Sequence, residues 1–207
     1  MRIWLISPCD NFSQASYDNY KTQNAIQLMQ DLWVEIVWWK HVFDPIDSSL
    51  ISARVNDLHD MYRDGSIDMI QILKGGFASN EMLPYIDREL IKANPKPLCG
   101  FSDATALQNA IYTHTWQTSI SWPFFQTLWR ELDGKETIQS EWKKVFLDKT
   151  PESKLAIERP YLDYNPDMTP NKIIHEPLKI INQWQATWPI IGGNLSTFSL
   201  LINTPHM

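Results

Sequence analysis

An α/β fold, with a mostly parallel sheet flanked by helices, is what three features of this sequence predict. Short apolar runs of β type alternate with helix-spaced runs through residues 1–125. Two of the apolar runs end in turns suited to close backbone approach, Lys74-Gly75-Gly76-Phe77 and Gly100-Phe101-Ser102-Asp103. Beyond residue 125 the alternation stops, and a proline-rich stretch over 150–180 predicts short antiparallel strands and loops. The expected organisation is therefore an α/β domain over 1–125 and a helical and antiparallel appendage over 126–207.

The elements follow in order. Ile3 to Ser7 reads as a buried first strand, and Tyr17 to Leu32 carries helical spacing in Ala25, Ile26, Met29 and Leu32. Val34 to Trp39 is a second strand. Ser49 to Arg63 is a helix with Leu50, Val55, Leu58 and Tyr62 on one side. Ile67 to Leu73 is a third strand, and Asn80 to Ile91 a helix broken at Pro84, whose ring cannot sit inside a regular helix. Pro97 to Phe101 is a fourth strand and Thr105 to His114 a helix. Further on, Thr127 to Leu132 and Glu136 to Leu147 read as helices, the second bringing Trp142, Val145 and Phe146 together. Leu155 to Ile157 and Leu178 to Asn182 are strand-like fragments. Trp188 to Ile191 reads as a last strand and Asn194 to Ile202 as a last helix.

At 207 residues the chain can bury a sizeable core, and 43% hydrophobic with 20% charged residues is the composition of a soluble globular protein. No run approaches the roughly 18 apolar residues of a membrane span. Met1 to Ile6 reads as a strand and not as a signal peptide, so a cytoplasmic location is expected. A net charge of −6, with no long cluster of Lys and Arg, argues against nucleic acid. Cys9 and Cys99 each end an apolar run and are expected buried and reduced. No Cys or His pair has metal-ligand spacing, so neither metal nor cofactor is expected.

Chemistry is concentrated in the two turns. A serine on a sharp strand-to-helix turn is how a weak hydroxyl nucleophile is pushed out of the backbone into a cleft. Small residues at Gly100 and Ala104 would let strand and helix approach around Ser102. The N–H of Asp103 would sit at a helix N-terminus, where orphan donors favour developing negative charge. A Ser/Asp cap opening a helix accounts for the same residues. The adjacent glycines Gly75 and Gly76 expose backbone N–H groups to a ligand; a turn needing positive φ explains them equally. One β-α unit separates the two turns, which puts both at the ligand-binding edge of a parallel sheet.

Further segments stand in a fixed order around these turns. They are Leu5-Ile6-Ser7-Pro8, Lys40 to Asp44 (Lys-His-Val-Phe-Asp), Ala53 to His59 (Ala-Arg-x-x-Asp-Leu-His), Gly75 to Asn80, Leu83 to Asp87, Gly100 to Thr105 and Ile190 to Leu195. In this order they resemble the LD-carboxypeptidase and microcin C immunity serine peptidases. The resemblance implies a flavodoxin-like N-terminal domain. It also implies cleavage of an amide next to a free carboxylate, as in murein tetrapeptide or a peptidyl-aminoacyl nucleotide, with a peptide or murein fragment as partner. Ser102 would be the nucleophile, and the N–H groups of Asp103 and Gly76 the oxyanion hole. Gly75, Phe77, Ser79 and Asn80 would line the substrate. The family's glutamate and histidine lie beyond the Gly192-Gly193-Asn194-Leu195 segment, outside this sequence. A truncated or inactive member acting as a peptide or small-molecule binding module is the alternative. An appended domain left off this chain would expose Phe198, Leu200 and Leu201, and a homodimer is expected.

The sequence departs from the family pattern at three places. Trp122 stands where Gly precedes Pro, Asp31-Leu32-Trp33-Val34 lacks the usual Gly, and Ala78 replaces a common Gly or Asn. Ten tryptophans against seven glycines mark strong divergence or an altered sequence. None of His41, His59, His114, His175 and His206 matches the family's catalytic histidine. Of these, His41 and His59 read as structural, and His114 as a favourable cation at a helix C-terminus. Glu81 reads as solvated, the Asp103 side chain as a helix cap, and Ser79 and Asn80 as caps or substrate contacts. Tyr161, Tyr164 and Trp184 read as packing aromatics able to line a pocket.

Overall fold

Apolar runs at regular intervals become the strands of one sheet. The computed structural model of this chain describes residues 1–45, 51–122, 124–128, 135–148, 161–164, 170–174 and 187–207. Strands β1 (Arg2–Ile6), β2 (Glu35–Trp38), β3 (Met69–Ile72), β4 (Leu98–Gly100) and β5 (Ile120–Ser121) stand in the order β2-β1-β3-β4-β5. All four pairings are parallel. This is the flavodoxin-like doubly wound order, in which a crevice opens at the carboxyl ends of the strands. The expected α/β class and parallel sheet are found. The central strands are apolar along their length, with Ile3, Leu5, Met69, Ile70, Ile72 and Leu98 buried, because helices cover both faces.

The helices between these strands are α1 (Gln14–Asp18), α2 (Tyr20–Asp31), α3 (Ile51–Arg63), α4 (Arg88–Ala93) and α5 (Thr105–Thr115). The single helix expected over Tyr17–Leu32 is broken at Asn19. Its backbone is extended and its side chain accepts the Lys21 N–H at 3.0 Å, so Asn19 ends one helix and caps the next. Ser79–Tyr85 is a 3-10 turn containing Pro84, and α4 restarts with Asp87 accepting the Leu90 N–H.

By contacts the chain forms two compact units, one of Met1–Ser140 with Ile191–Met207 and one of Glu141–Ile190. In the first unit, the Gly192-Gly193-Asn194 turn docks on the start of α5. Asn109 exchanges two hydrogen bonds with the Gly192 backbone, and Thr105 Oγ1 accepts the Asn194 N–H at 3.0 Å. Gly193 has φ 138°, and a Cβ there would lie 2.4 Å from Thr105 Oγ1, so only glycine fits. Asn194 then caps α7 (Leu195–Ser199). Leu201, expected exposed, is in the core; Leu200 is exposed.

The second unit carries the antiparallel pair β6 (Tyr161–Tyr164) and β7 (Pro170–Ile174). Helix α6 (Lys135–Phe146), of which the residues from Glu141 onward belong to this unit, forms as expected, and the buried Trp142 and Phe146 rings lie 5.0 Å apart within it. Trp188–Ile191, expected as a strand, is irregular chain, with Trp188 and Ile190 exposed. Among the described residues its β-type residues have no strand to pair with, and Pro189 has no N–H to give a ladder. Of the helix expected over Thr127–Leu132, a 3-10 turn at Phe125–Thr127 is described; residues 129–134 lie outside the described residues. So do the fragments Leu155–Ile157 and Leu178–Asn182.

Candidate active site

Gly100 ends β4 where the chain must turn sharply into α5. A Cβ at Gly100 would meet the Ala104 Cβ and the Ile72 side chain at 3.1 Å, so two small residues are needed for strand and helix to pack this closely. The turn is completed by Ser102 in the left-handed region, at φ 55°. A non-glycine residue there carries strain of roughly 1–2 kcal/mol. The Ser102 hydroxyl is half-buried and has no hydrogen-bond partner among the described residues. This is the geometry of a nucleophile elbow.

Asp103 differs from its expected role. Helix α5 is capped by Ala104 without a side-chain bond. The Asp103 carboxylate instead accepts the Ser79 N–H at 2.9 Å, and the Ser79 hydroxyl donates to the Asp103 carbonyl at 2.7 Å. Both residues are buried. This reciprocal pair ties the serine turn to the Gly75-Gly76 turn after β3. It also commits the Ser79 side chain to Asp103. Asn80 and Phe77 are exposed, Phe77 by 82%.

The double-glycine turn is pressed between two neighbours. A Cβ at Gly75 would lie 3.4 Å from the Ser102 Cβ and 2.7 Å from the Phe124 ring. A Cβ at Gly76 would lie 2.0 Å from the Cys9 carbonyl oxygen. That carbonyl accepts the N–H groups of Phe77 and Ala78 at 3.0 and 3.2 Å. Among the described residues no backbone carbonyl accepts the N–H of Gly76 or of Asp103. Phe101, partly exposed, packs its ring 4.3 Å from Phe124, so aromatic surface borders Gly75. Trp122 extends the β5 pairing, its N–H donating to the Gly100 carbonyl at 3.1 Å, while its buried indole N–H has no acceptor among the described residues.

Behind the turns lies a residue that sequence reasoning did not single out. Arg54 is buried on α3 and donates through Nη1 to the carbonyls of Pro8 and Ala78, each at 3.1 Å. Its Nη2 pairs with Glu81 Oε2 at 2.6 Å, so Glu81 is half-exposed and ion-paired. A signal was present: Arg54 falls one turn before Leu58, on the apolar side of its helix. Burial and the neighbouring Asp103 carboxylate push the Cys9 thiol well above its ordinary range. Cys9 and Cys99 are both free and buried, as expected.

Each described histidine is engaged elsewhere. His41 Nδ1 meets Asp57 Oδ1 at 2.6 Å, His59 Nε2 accepts the Asp87 N–H at 2.8 Å, and His114 Nε2 lies 3.4 Å from His206 Nδ1. His175 and Trp184 lie outside the described residues, as do the side chains of Tyr161 and Tyr164. Among the described residues there is no cluster of three His, Cys, Asp or Glu able to hold a metal. No described helix is long and apolar enough to cross a membrane.

Comparison with known proteins gives a consistent neighbourhood. A family model described as the LD-carboxypeptidase N-terminal domain matches residues 3–121. YocD of Bacillus subtilis (strain 168), which bears a carboxypeptidase name, is 38% identical over 218 residues, covering 99% of this chain and 63% of that protein. A protein of Treponema pallidum (strain Nichols), also named as a carboxypeptidase, is 33% identical over 208 residues, covering 99% and 60%. The crystal structure of an MccF-like protein from Bacillus anthracis superimposes with a TM-score of 0.82 at 32% identity, covering 100% of this chain and 63% of that one. The chain thus spans about three fifths of the length of these relatives. Two further matches carry ligands or substrates in their names. A murein tetrapeptide carboxypeptidase of Pseudomonas aeruginosa is 35% identical over 65 residues, covering 31% of this chain and 21% of that protein. MccF in complex with aspartyl sulfamoyl adenosine shares the fold, with a TM-score of 0.74 at 22% identity, covering 100% and 64%.

Proposed function

Because this chain belongs to the LD-carboxypeptidase family, we propose that it is the nucleophile-bearing part of a serine carboxypeptidase that cleaves an amide next to a free carboxylate. The observation that carries the reading is Ser102 at φ 55° on the turn between β4 and α5, with its hydroxyl free among the described residues. In the proposed reaction Ser102 Oγ attacks the scissile carbonyl, and the amide nitrogen leaves with a proton. Water then hydrolyses the acyl-enzyme. The N–H groups of Gly76 and Asp103 receive the oxyanion; such donors each contribute about 10²–10³ in kcat. The base and its orienting carboxylate come from outside the described residues.

Murein tetrapeptide and aminoacyl nucleotides are the two substrate classes that the family's named members support. Phe77, Asn80 and the Gly75 backbone are the proposed substrate contacts, while Ser79 acts through Asp103. The reading includes a cytoplasmic protein, supported by two free buried cysteines, and a homodimer, supported by exposed Leu195, Leu200 and Ile202. A second reading, a binding module without turnover, is favoured by one observation: every described histidine is engaged away from Ser102.

The test is release of the terminal D-amino acid from murein tetrapeptide, and of the amino acid from an aminoacyl adenylate analogue with a cleavable amide, by this chain joined to the segment that supplies the base, and by Ser102→Ala of the same protein. Release that Ser102→Ala abolishes by at least 10³-fold supports the peptidase. Tight binding of aspartyl sulfamoyl adenosine without release, unchanged by Ser102→Ala, supports the binding module and ends the peptidase reading for this chain.

A further inference from the structure

A guanidinium buried away from water is costly unless its donors are taken up. Arg54 commits one nitrogen to two neutral carbonyls, those of Pro8 and Ala78, on loops that follow different strands. Its other terminal nitrogen reaches the half-exposed Glu81. Pro8 immediately precedes Cys9, whose carbonyl holds the Phe77 and Ala78 N–H groups and backs directly onto Gly76. The glycine turn has no side chains of its own at positions 75 and 76 with which to anchor itself. Its position is therefore imposed from outside: Lys74 reaches Asp10 and the Asn11 carbonyl, the Arg54 fork acts on the β1 side, and the Ser79–Asp103 pair acts on the β4 side.

We propose that Arg54 is a positioning residue that holds the Gly76 N–H in place against the Ser102–Asp103 turn, by clamping the Pro8 and Ala78 carbonyls into one guanidinium. The proposal rests on the reading of Gly76 and Asp103 as the oxyanion donors. Arg54 never meets the substrate; it acts through the Cys9 carbonyl and the Ala78 peptide. A planar fork suits this task, because it spans two carbonyls and a carboxylate at fixed angles, which a lysine ammonium on a flexible stem does not. A merely structural arginine would instead stabilise the molecule evenly, and its loss would loosen the sheet and the turn together.

The experiment is amide hydrogen exchange by NMR on the whole chain, for the wild type, Arg54→Lys, Arg54→Met, Glu81→Gln and Ser102→Ala. In Arg54→Lys and Arg54→Met the Phe77 and Ala78 amides are expected to exchange at least tenfold faster. The Gly76 and Asp103 amide resonances shift, while the amides of β1 and β3 stay within twofold of wild type. If Arg54→Met does not fold, Arg54→Lys carries the comparison. Glu81→Gln leaves the two carbonyl bonds in place and is expected to match wild type at Phe77 and Ala78. Unchanged exchange of those two amides in Arg54→Lys overturns the proposal. So does loss of protection in step with the sheet, or a Glu81→Gln variant as loose as Arg54→Lys. Exchange does not depend on turnover, and Ser102→Ala is expected to match wild type. A loosened turn without any hydrolysis would retain the clamp and sink the catalytic reading; hydrolysis with an undisturbed turn would do the reverse.

Discussion

Ser102 combines an exposed chemical opportunity with a conformational cost. At φ 55° its Cβ crowds the backbone, and no hydrogen bond from its hydroxyl to a described residue offsets this. Replacing it by glycine removes the strain of roughly 1–2 kcal/mol, and returns roughly 0.5–1 kcal/mol to the unfolded chain as extra freedom. Ser102→Gly is therefore expected to raise stability by about 0.5 kcal/mol, whereas Ser102→Ala keeps the strain and leaves stability nearly unchanged. Urea midpoints of the three proteins check this; a Ser102→Gly variant less stable than Ser102→Ala would show that the turn is not strained. A residue that costs stability where it stands is what a functional position predicts. Asp103 shows the opposite economy. Its backbone faces the turn while its carboxylate, buried against the Ser79 N–H, holds two loops in register.

At the scale of elements, two helix ends place a tryptophan in the left-handed region. Helix α2 closes in a Schellman arrangement: Val34 N–H bonds the Met29 carbonyl at 2.9 Å and Trp33 N–H bonds the Gln30 carbonyl at 3.0 Å. The left-handed residue of that motif is Trp33, at φ 57° and 91% exposed. A bulky side chain there brings strain and almost no burial, so Trp33→Gly is expected to stabilise by about 0.5–1 kcal/mol. Trp116 closes α5 through a single bond, its N–H donating to the Tyr112 carbonyl at 2.8 Å, with φ 61°; it packs its ring 5.6 Å from Tyr112 and so gains less on replacement. Thermal melts of the two glycine variants rank them; equal gains would mean that the Trp116–Tyr112 contact contributes nothing. The parallel sheet and the two turns were legible in the sequence, because strand runs and glycine pairs are local signals. The break at Asn19 was missed because one side chain chose a cap over helix continuation. The Arg54 clamp and the Asp103–Ser79 pair join residues 24–46 positions apart, and nothing local in the sequence announces such a partner. The expected strand at Trp188–Ile191 failed for the same reason in reverse, since a strand needs a neighbour that its own sequence cannot specify.

For the molecule as a whole, three histidines make stability depend on pH in one direction. Burial, then the Arg63 charge, lowers the pKa of His59, and its Nε2 is an acceptor for the Asp87 N–H, a role that protonation abolishes. Burial, then the Arg88 guanidinium, lowers His114 and His206, which face each other at 3.4 Å between α5 and the segment after α7. A lowered folded pKa means that the fold prefers the neutral ring. As pH falls below the unfolded value of about 6.5, the unfolded chain takes up protons before the folded one does, so unfolding becomes easier. The stability these rings contribute is complete above about pH 7 and is lost as pH falls through their folded values. Asp57, raised by burial and held by His41, acts with the opposite sign only nearer the carboxylate range. The expected result is a urea midpoint that decreases steadily between pH 7 and 5.5. The double variant His114→Gln with His206→Gln should flatten that slope, leaving the part owed to His59. A midpoint that stays level or rises over the same interval would mean that these rings are as free to protonate in the fold as in the open chain. The tail after α7 would then not be held by the His114–His206 contact.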